Sequence, residues 1–186
     1  MSHSSDEQRM CLYTPVELQT VLQRMAQHAD ELLPATGGVL IGIQRRGEPL
    51  AHLLKHYLKQ FHDRTELPLY ALKVQRYADD LSILHADTNL SENPQLSALD
   101  LRSSTLLVVD DVLYEGHSLL RTCAYLAHLG AGCIRTAVLV DRCTCKQPVH
   151  ADITGIRLQI APGDIVECHV PPFEPHLAVE VVRRNR

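Results

Sequence analysis

The run "TLLVVDD" at residues 105–111 constrains the fold more than any other stretch of the chain. Its apolar residues are consecutive rather than alternating, which is the pattern of a strand covered on both faces and therefore of a parallel sheet with helices above and below it. A second such run, "GVLIGIQ" at 38–44, leads through a tight turn into "EPLAHLLKHYLKQF" at 48–61, where Leu50, Leu53, Leu54, Tyr57 and Leu58 recur at helical spacing. After residue 117, "SLLRTCAYLAHLG" reads as a helix that stops at Gly130, and "IRTAVLVD" at 134–141 reads as the next strand. Strands alternating with helices in this way predict an α/β fold, a doubly wound parallel sheet.

The remaining segments fit around that unit. "TPVELQTVLQRMAQHADELL" offers Thr14 as N-cap, Pro15 at the first helical position and Glu17 three residues after the cap, so a capping box precedes an amphipathic helix carrying Leu18, Leu22, Met25 and Leu32. "LPLYALKVQ" at 67–75 is a further strand candidate. Residues 77–104 are polar, with scattered Asn, Ser and Pro, and are expected to form a mobile lid loop, because a stretch of that length is too long for a routine connection. Residues 1–12 are expected to be flexible, and the tail 151–186 to add short strands at "RLQIAP", "DIVECHV" and "LAVEVV". The 186 residues contain no repeat and no linker, which predicts one domain. With six Tyr, two Phe and no Trp, its core must be largely aliphatic.

In open α/β sheets ligands gather where the carboxyl ends of the strands lead into helix N-termini. Asp110 and Asp111 fall at that edge. Just after them, Gly116 allows close backbone approach, and the first amides of the following helix point outward as an anion cup. Acids beside an anion cup suit a ligand that presents sugar hydroxyls, or a metal ion, next to a phosphate. A sugar phosphate is such a ligand.

On these residues the chain resembles the type I phosphoribosyltransferases. "LLVVDDVLYEGHS" is similar to their ribose-phosphate loop, in particular to the "VDDVLYTGRT" form found in the pyrimidine-operon attenuation regulators that double as uracil phosphoribosyltransferases. "IGIQRRG" resembles the pyrophosphate loop of that family, "YADDLS" its lid motif "YRDDLS", and "AVLVDR" followed by "VHAD" its base-side "AVLVDR…IRAD". These matches are colinear over roughly residues 38–155.

The resemblance implies that Asp110 and Asp111 face the ribose hydroxyls, directly or through Mg²⁺. It further implies that Tyr114, Glu115, Gly116, His117 and Ser118 hold the 5′-phosphate, and that Arg45, Arg46 and Gly47 turn around pyrophosphate. Arg76, Asp79 and Asp80 would belong to the lid, and Val140, Asp141 and Arg142 would flank the base. The implied reaction is displacement of pyrophosphate from phosphoribosyl pyrophosphate by a uracil nitrogen, giving UMP in pyrimidine salvage, and the implied assembly is a homodimer. Two other readings are open within the same family: a regulator that senses a nucleotide such as UMP and binds RNA, and a catalytically weak nucleotide-binding relic.

Departures from the pattern shape these expectations. Glu115 stands where the relatives have Thr, placing a charge like that of phosphate inside the phosphate turn. Unrelieved, this would weaken affinity by anything from several-fold to about a thousand-fold. The carboxylate is either tolerated or marks a site whose ligand has changed. Ala78 replaces the Arg of the lid motif. "CTCKQPVH" at 143–150 is poorer in basic residues than its RNA-binding counterparts, which weighs against an RNA partner because phosphate contacts dominate such affinity.

Simpler readings cover the other features. The formal net charge of −4 gives no sign of a dedicated nucleic-acid binder. The polar start and the lack of an apolar run near about 18 residues predict a cytoplasmic protein rather than a membrane one. The six cysteines, several of them in predicted core elements, are expected to be reduced thiols. Cys143, Cys145 and His150 could in principle bind zinc, but incidental thiols are the simpler reading. His52 and His56 read as solvent-facing, and Arg183, Arg184 and Arg186 as a polar tail. A receiver-type response regulator also carries acids at strand ends, but after its first strand, whereas this pair follows the third.

Overall fold

A computed structural model describes residues 8–73 and 93–183. Five strands form one sheet: β2 (Gly38–Ile43), β3 (Leu69–Leu72), β4 (Thr105–Leu113), β5 (Cys133–Asp141) and β6 (Ile153–Arg157). They lie in the order β3-β2-β4-β5-β6, and every neighbouring pair is parallel. Three further strands, β1 (Gln8–Tyr13), β7 (Ile165–His169) and β8 (Ala178–Arg183), make a separate antiparallel sheet in the order β1-β8-β7.

Helices cover the parallel sheet on both faces, as the unbroken apolar runs require. On one face α1 (Pro15–Leu32) and α2 (Gly47–His62) bury Leu18, Leu22, Leu50 and Leu54 against Leu40, Leu107 and Leu139. On the other, α4 (His117–His128) buries Leu119 and Leu126 against Ile41, Val108 and Val138. Consecutive strand residues thus feed different cores, the period-two geometry of a strand applied to a sequence with no polar face. The capping box of α1 forms in full: Thr14 Oγ1 accepts from Glu17 N, and Thr14 N donates to Glu17 Oε2 at 2.8 Å.

Three expectations need correction. Residues 8–12 are not a flexible lead but part of β1, an edge strand held to β8, with Arg9 Nη1 reaching Glu167 Oε2 on β7 at 2.6 Å. Nothing local specifies this strand, because its partner lies at the far end of the sequence. The C-terminal part of the expected lid loop is also built into the domain. Asn93 caps the one-turn α3 (Pro94–Ser97) and donates from Nδ2 to Ala71 O at 3.2 Å, while Leu96 and Leu101 are fully buried in the α4-side core. Finally, the first strand of the tail is Ile153–Arg157 rather than "RLQIAP", and it forms the edge of the parallel sheet beside β5. Gly155 disguises it as a break, yet a side chain there would press on Met25 Sδ and Leu139 O, each 2.8 Å from its Cβ. The expected strand at 67–75 is observed as Leu69–Leu72.

Candidate active site

β4 carries Asp110 and Asp111 to the carboxyl edge of the sheet, where they are only 3% and 5% exposed. Asp111 N donates to Asp110 Oδ1 at 3.0 Å, so the backbone itself orients one carboxylate. Beneath them Cys168 of β7 directs its Sγ at Asp111 O, 3.9 Å away. Burial, then the neighbouring Asp111 charge, pushes this thiol well above its ordinary range, so it stays protonated and serves as packing.

The turn between β2 and α2 lies directly against this edge. Gly47 has no room for a side chain: a Cβ would collide with Val109 O and lie 3.1 Å from the Asp110 Cα. That contact brings the Gln44–Gly47 turn beside the acid pair. The two arginines of the turn are each engaged by the β7–β8 connection. Arg46 donates from Nε and Nη2 to Glu174 Oε1 at 3.1 and 2.5 Å, and Glu174 Oε2 accepts from Val170 N at 2.7 Å. Partial burial opposes ionisation of Glu174, but the Arg46 and Val170 hydrogen bonds outweigh it and hold the carboxyl below its ordinary range. The Arg45 guanidinium carbon sits 4.7 Å from the centroid of the Phe173 ring.

On the other side of β4, Gly116 takes φ +88° as the N-cap of α4, with no side-chain cap bond to the first amides of the helix. The amides and dipole of a helix start of this kind favour an anion. The loop after β5 wraps this turn. Arg142 N donates to Leu113 O at 3.0 Å, Thr144 Oγ1 to Tyr114 O at 3.4 Å and Lys146 N to Glu115 O at 3.2 Å. Glu115 is neither loose in solvent nor alone. Lys146 Nζ lies 2.6 Å from its Oε1 and His117 Nε2 3.5 Å from its Oε2, and the Lys146 hydrogen bond lowers the affinity of the carboxylate for a proton. The Arg142 guanidinium carbon stacks 4.6 Å from the centroid of the half-exposed Tyr114 ring. Its Nε has no hydrogen-bond partner among the described residues.

Most of the residues singled out in the sequence therefore meet at one edge: Arg45, Arg46 and Gly47 on one side of Asp110 and Asp111, Tyr114 to Ser118 on the other, Arg142 above. The Val140 side chain is fully buried in the core, and the Asp141 carboxylate accepts from Cys143 N at 2.8 Å. Arg76, Asp79 and Asp80 lie outside the described residues. Sequence reasoning missed Lys146, Phe173 and Glu174, whose partners are dozens of residues away and carry no shared motif. Cys143, Cys145 and His150 do not converge. Among the described residues the one group of three candidate ligands whose atoms lie within 4.8 Å of one another is Glu167, His169 and Glu180 on the small sheet, where Arg9 already pairs with both acids. A cleft of about 550 Å³ opens at the opposite end of the sheet, near Gly38, Lys55, Tyr70 and Ser104, away from the acid pair.

A parallel sheet with an acid pair at the end of a central strand, an arginine turn on one side and a glycine-capped helix on the other defines a nucleotide- or sugar-phosphate-handling α/β protein. Residues 15–173 match the phosphoribosyl transferase domain, and the chain belongs to that family. Its relatives include the bifunctional protein PyrR of Gloeothece citriformis, 31% identical over 172 residues that span 90% of this chain and 93% of that protein. PyrR of Thermus thermophilus is 32% identical over 175 residues, 91% of this chain and 93% of that one. The fold is shared with a hypoxanthine phosphoribosyltransferase of Trypanosoma cruzi, with a TM-score of 0.73 at 16% identity, over 98% of this chain and 94% of that chain. It is shared too with a hypoxanthine-guanine phosphoribosyltransferase of Bacillus anthracis, with a TM-score of 0.71 at 13% identity, over 93% and 97% of the two chains. The protein is a type I phosphoribosyltransferase of the PyrR-like kind.

Proposed function

We propose that the protein transfers the phosphoribosyl group of phosphoribosyl pyrophosphate to uracil, releasing UMP and pyrophosphate in pyrimidine salvage. The observation that carries this reading is the buried Asp110–Asp111 pair held between the Arg45–Gly47 turn and the glycine-capped N-terminus of α4. In it, the arginine turn receives pyrophosphate, the Asp110 and Asp111 carboxylates accept from the ribose hydroxyls, and residues 114–118 receive the 5′-phosphate. A uracil nitrogen beside Asp141 and Arg142 then gives up its N–H proton to water and forms its bond to the anomeric carbon as the bond to the pyrophosphate oxygen breaks, and the electron pair of that bond leaves with pyrophosphate. No covalent enzyme intermediate is required. Orientation and fixed charge at the reacting carbon supply the rate.

Two adjacent carboxylates at the edge of the site form the hard-oxygen donor set that Mg²⁺ prefers, so Asp110 and Asp111 fit this ion. When bound it would neutralise charge on the pyrophosphate oxygens as that group departs. The remaining requirement on the chain is to exclude water, which this reading assigns to the segment that contains Arg76, Asp79 and Asp80.

The test is formation of UMP and pyrophosphate from uracil, phosphoribosyl pyrophosphate and Mg²⁺. Wild-type protein is expected to turn over, and Asp111→Asn to lose at least about a hundredfold in kcat/KM. An inactive wild type would refute the uracil assignment. The second reading, a nucleotide-sensing regulator that binds RNA, draws support from the name of the relatives, bifunctional protein PyrR. Filter binding of pyrimidine-operon leader RNA with and without UMP separates the two. Homodimer formation and a cytoplasmic place belong to the same proposal; among the described residues no helix is long and apolar enough to cross a membrane.

A further inference from the structure

A carboxylate in a phosphate-binding turn is a liability unless something answers its charge. Here the answer comes from another loop. Lys146 lies 31 residues after Glu115, yet its Nζ is 2.6 Å from Glu115 Oε1 and its backbone N donates to Glu115 O, so main chain and side chain both place it at the turn. The two loops touch without slack: a Cβ on Gly116 would lie 2.5 Å from Cys145 Sγ and 2.9 Å from Val149 Cγ2. Cys145 Sγ adds a weak hydrogen bond to Glu115 O at 3.6 Å. The Lys146 side chain is 70% exposed while that of Glu115 is 27% exposed, so the ammonium, rather than the carboxylate, is the more open to solvent.

We propose that Lys146 is a phosphate-binding residue of this turn: Glu115 holds its ammonium at the mouth of the α4 N-terminus, and Lys146 in return cancels the carboxylate charge that would repel a phosphate monoester. This rests on the assignment of residues 114–118 to the 5′-phosphate. The pair then replaces the neutral hydroxyl that the resemblance leads one to expect, converting a fixed donor into a cation carried on a flexible stem. His117, 3.5 Å from the second Glu115 oxygen, faces the same carboxylate.

Charge cancellation has a signature that direct contact alone lacks. Removing Lys146 should expose Glu115, so Lys146→Met weakens binding on the order of tenfold. Glu115→Gln, having nothing to cancel, binds at least as well as wild type. The double variant Glu115→Gln/Lys146→Met recovers part of the loss, a non-additive cycle whose sign reports the repulsion and whose remainder reports the direct contact of Lys146. Calorimetric titration of all four proteins with Mg²⁺ and phosphoribosyl pyrophosphate, and separately with Mg²⁺ and pyrophosphate, reads the effect. The losses should appear with the first ligand, which carries a 5′-phosphate, and be absent with the second, and they should shrink at high salt. If wild type binds phosphoribosyl pyrophosphate and Lys146→Met binds it equally well, the inference is overturned while the functional reading stands. A double variant no better than Lys146→Met overturns the cancellation. A wild type that binds neither ligand overturns the functional reading and this inference with it.

Discussion

Substitution of Gly47 by alanine tests the contact on which the geometry of the site depends. The added methyl would strike Val109 O and crowd the Asp110 Cα, both main-chain atoms of a strand paired on each side. Neither can step aside as a flexible side chain would. Overpacking of this kind costs about 1–3 kcal/mol. Alanine recovers up to about 1 kcal/mol through its better helix propensity, less at the first helical position than in the interior. A net loss of about 1–2 kcal/mol corresponds, in a chain of this size, to a melting temperature lower by roughly 2–8 °C. The alternative to unfolding stress is retreat of the Arg45–Gly47 turn from the acid pair, and a displacement of about 1 Å can cost on the order of a hundredfold in rate. Thermal melts combined with steady-state kinetics therefore show a fall in stability, in kcat/KM, or in both. Gly163→Ala is the control, since nothing lies within 4 Å of a Cβ there. If Gly47→Ala melts and turns over like Gly163→Ala, the turn does not lie against β4 as described, and its role in placing the arginines fails with it.

Two further outcomes are expected. Leu101→Ala, in a side chain only 1% exposed beside Leu96, should cost about 2–5 kcal/mol, measured by urea denaturation, whereas a residue of a loose lid would cost almost nothing. Glu174 ionises more readily when folded than its ordinary value of 4.5, so its contribution is present at neutral pH and is lost as pH falls below 4.5 through the folded value. The difference in melting temperature between wild type and Glu174→Gln should accordingly narrow in that window; a constant difference from pH 7 to pH 3 would mean that Glu174 is not held as a charged partner of Arg46.

The parallel sheet was legible because burial on both faces leaves short unbroken apolar runs that alternate with helical segments, and α1 because its cap is written in three neighbouring residues, Thr14, Pro15 and Glu17. The acid pair and Gly116 were legible for the same local reason: a strand end and a helix start adjoin them in sequence. What escaped was non-local. β1 gains its hydrogen bonds from β8, Glu115 its counterion from Lys146, and Arg46 its carboxylate from Glu174. An ion pair between distant residues leaves no periodicity in either segment. Gly155 misled for a different reason, since the residue that ordinarily weakens a strand here makes way for α1.

The small sheet also has a temporal meaning. Gln8 pairs with Arg183, and the same three-stranded sheet frames the connection that carries Phe173 and Glu174. During synthesis, all five parallel strands and both acidic residues emerge before β7 and β8 do. A nascent chain at that stage could stack its sheet yet would lack the carboxylate that holds Arg46, the ring against Arg45 and the partner of its own first strand. Pairing across such long sequence separation is intrinsically slow, so Arg46 and Arg45 gain Glu174 and Phe173 only after the whole parallel sheet has been synthesised, and β1 gains its partner only when β8 docks.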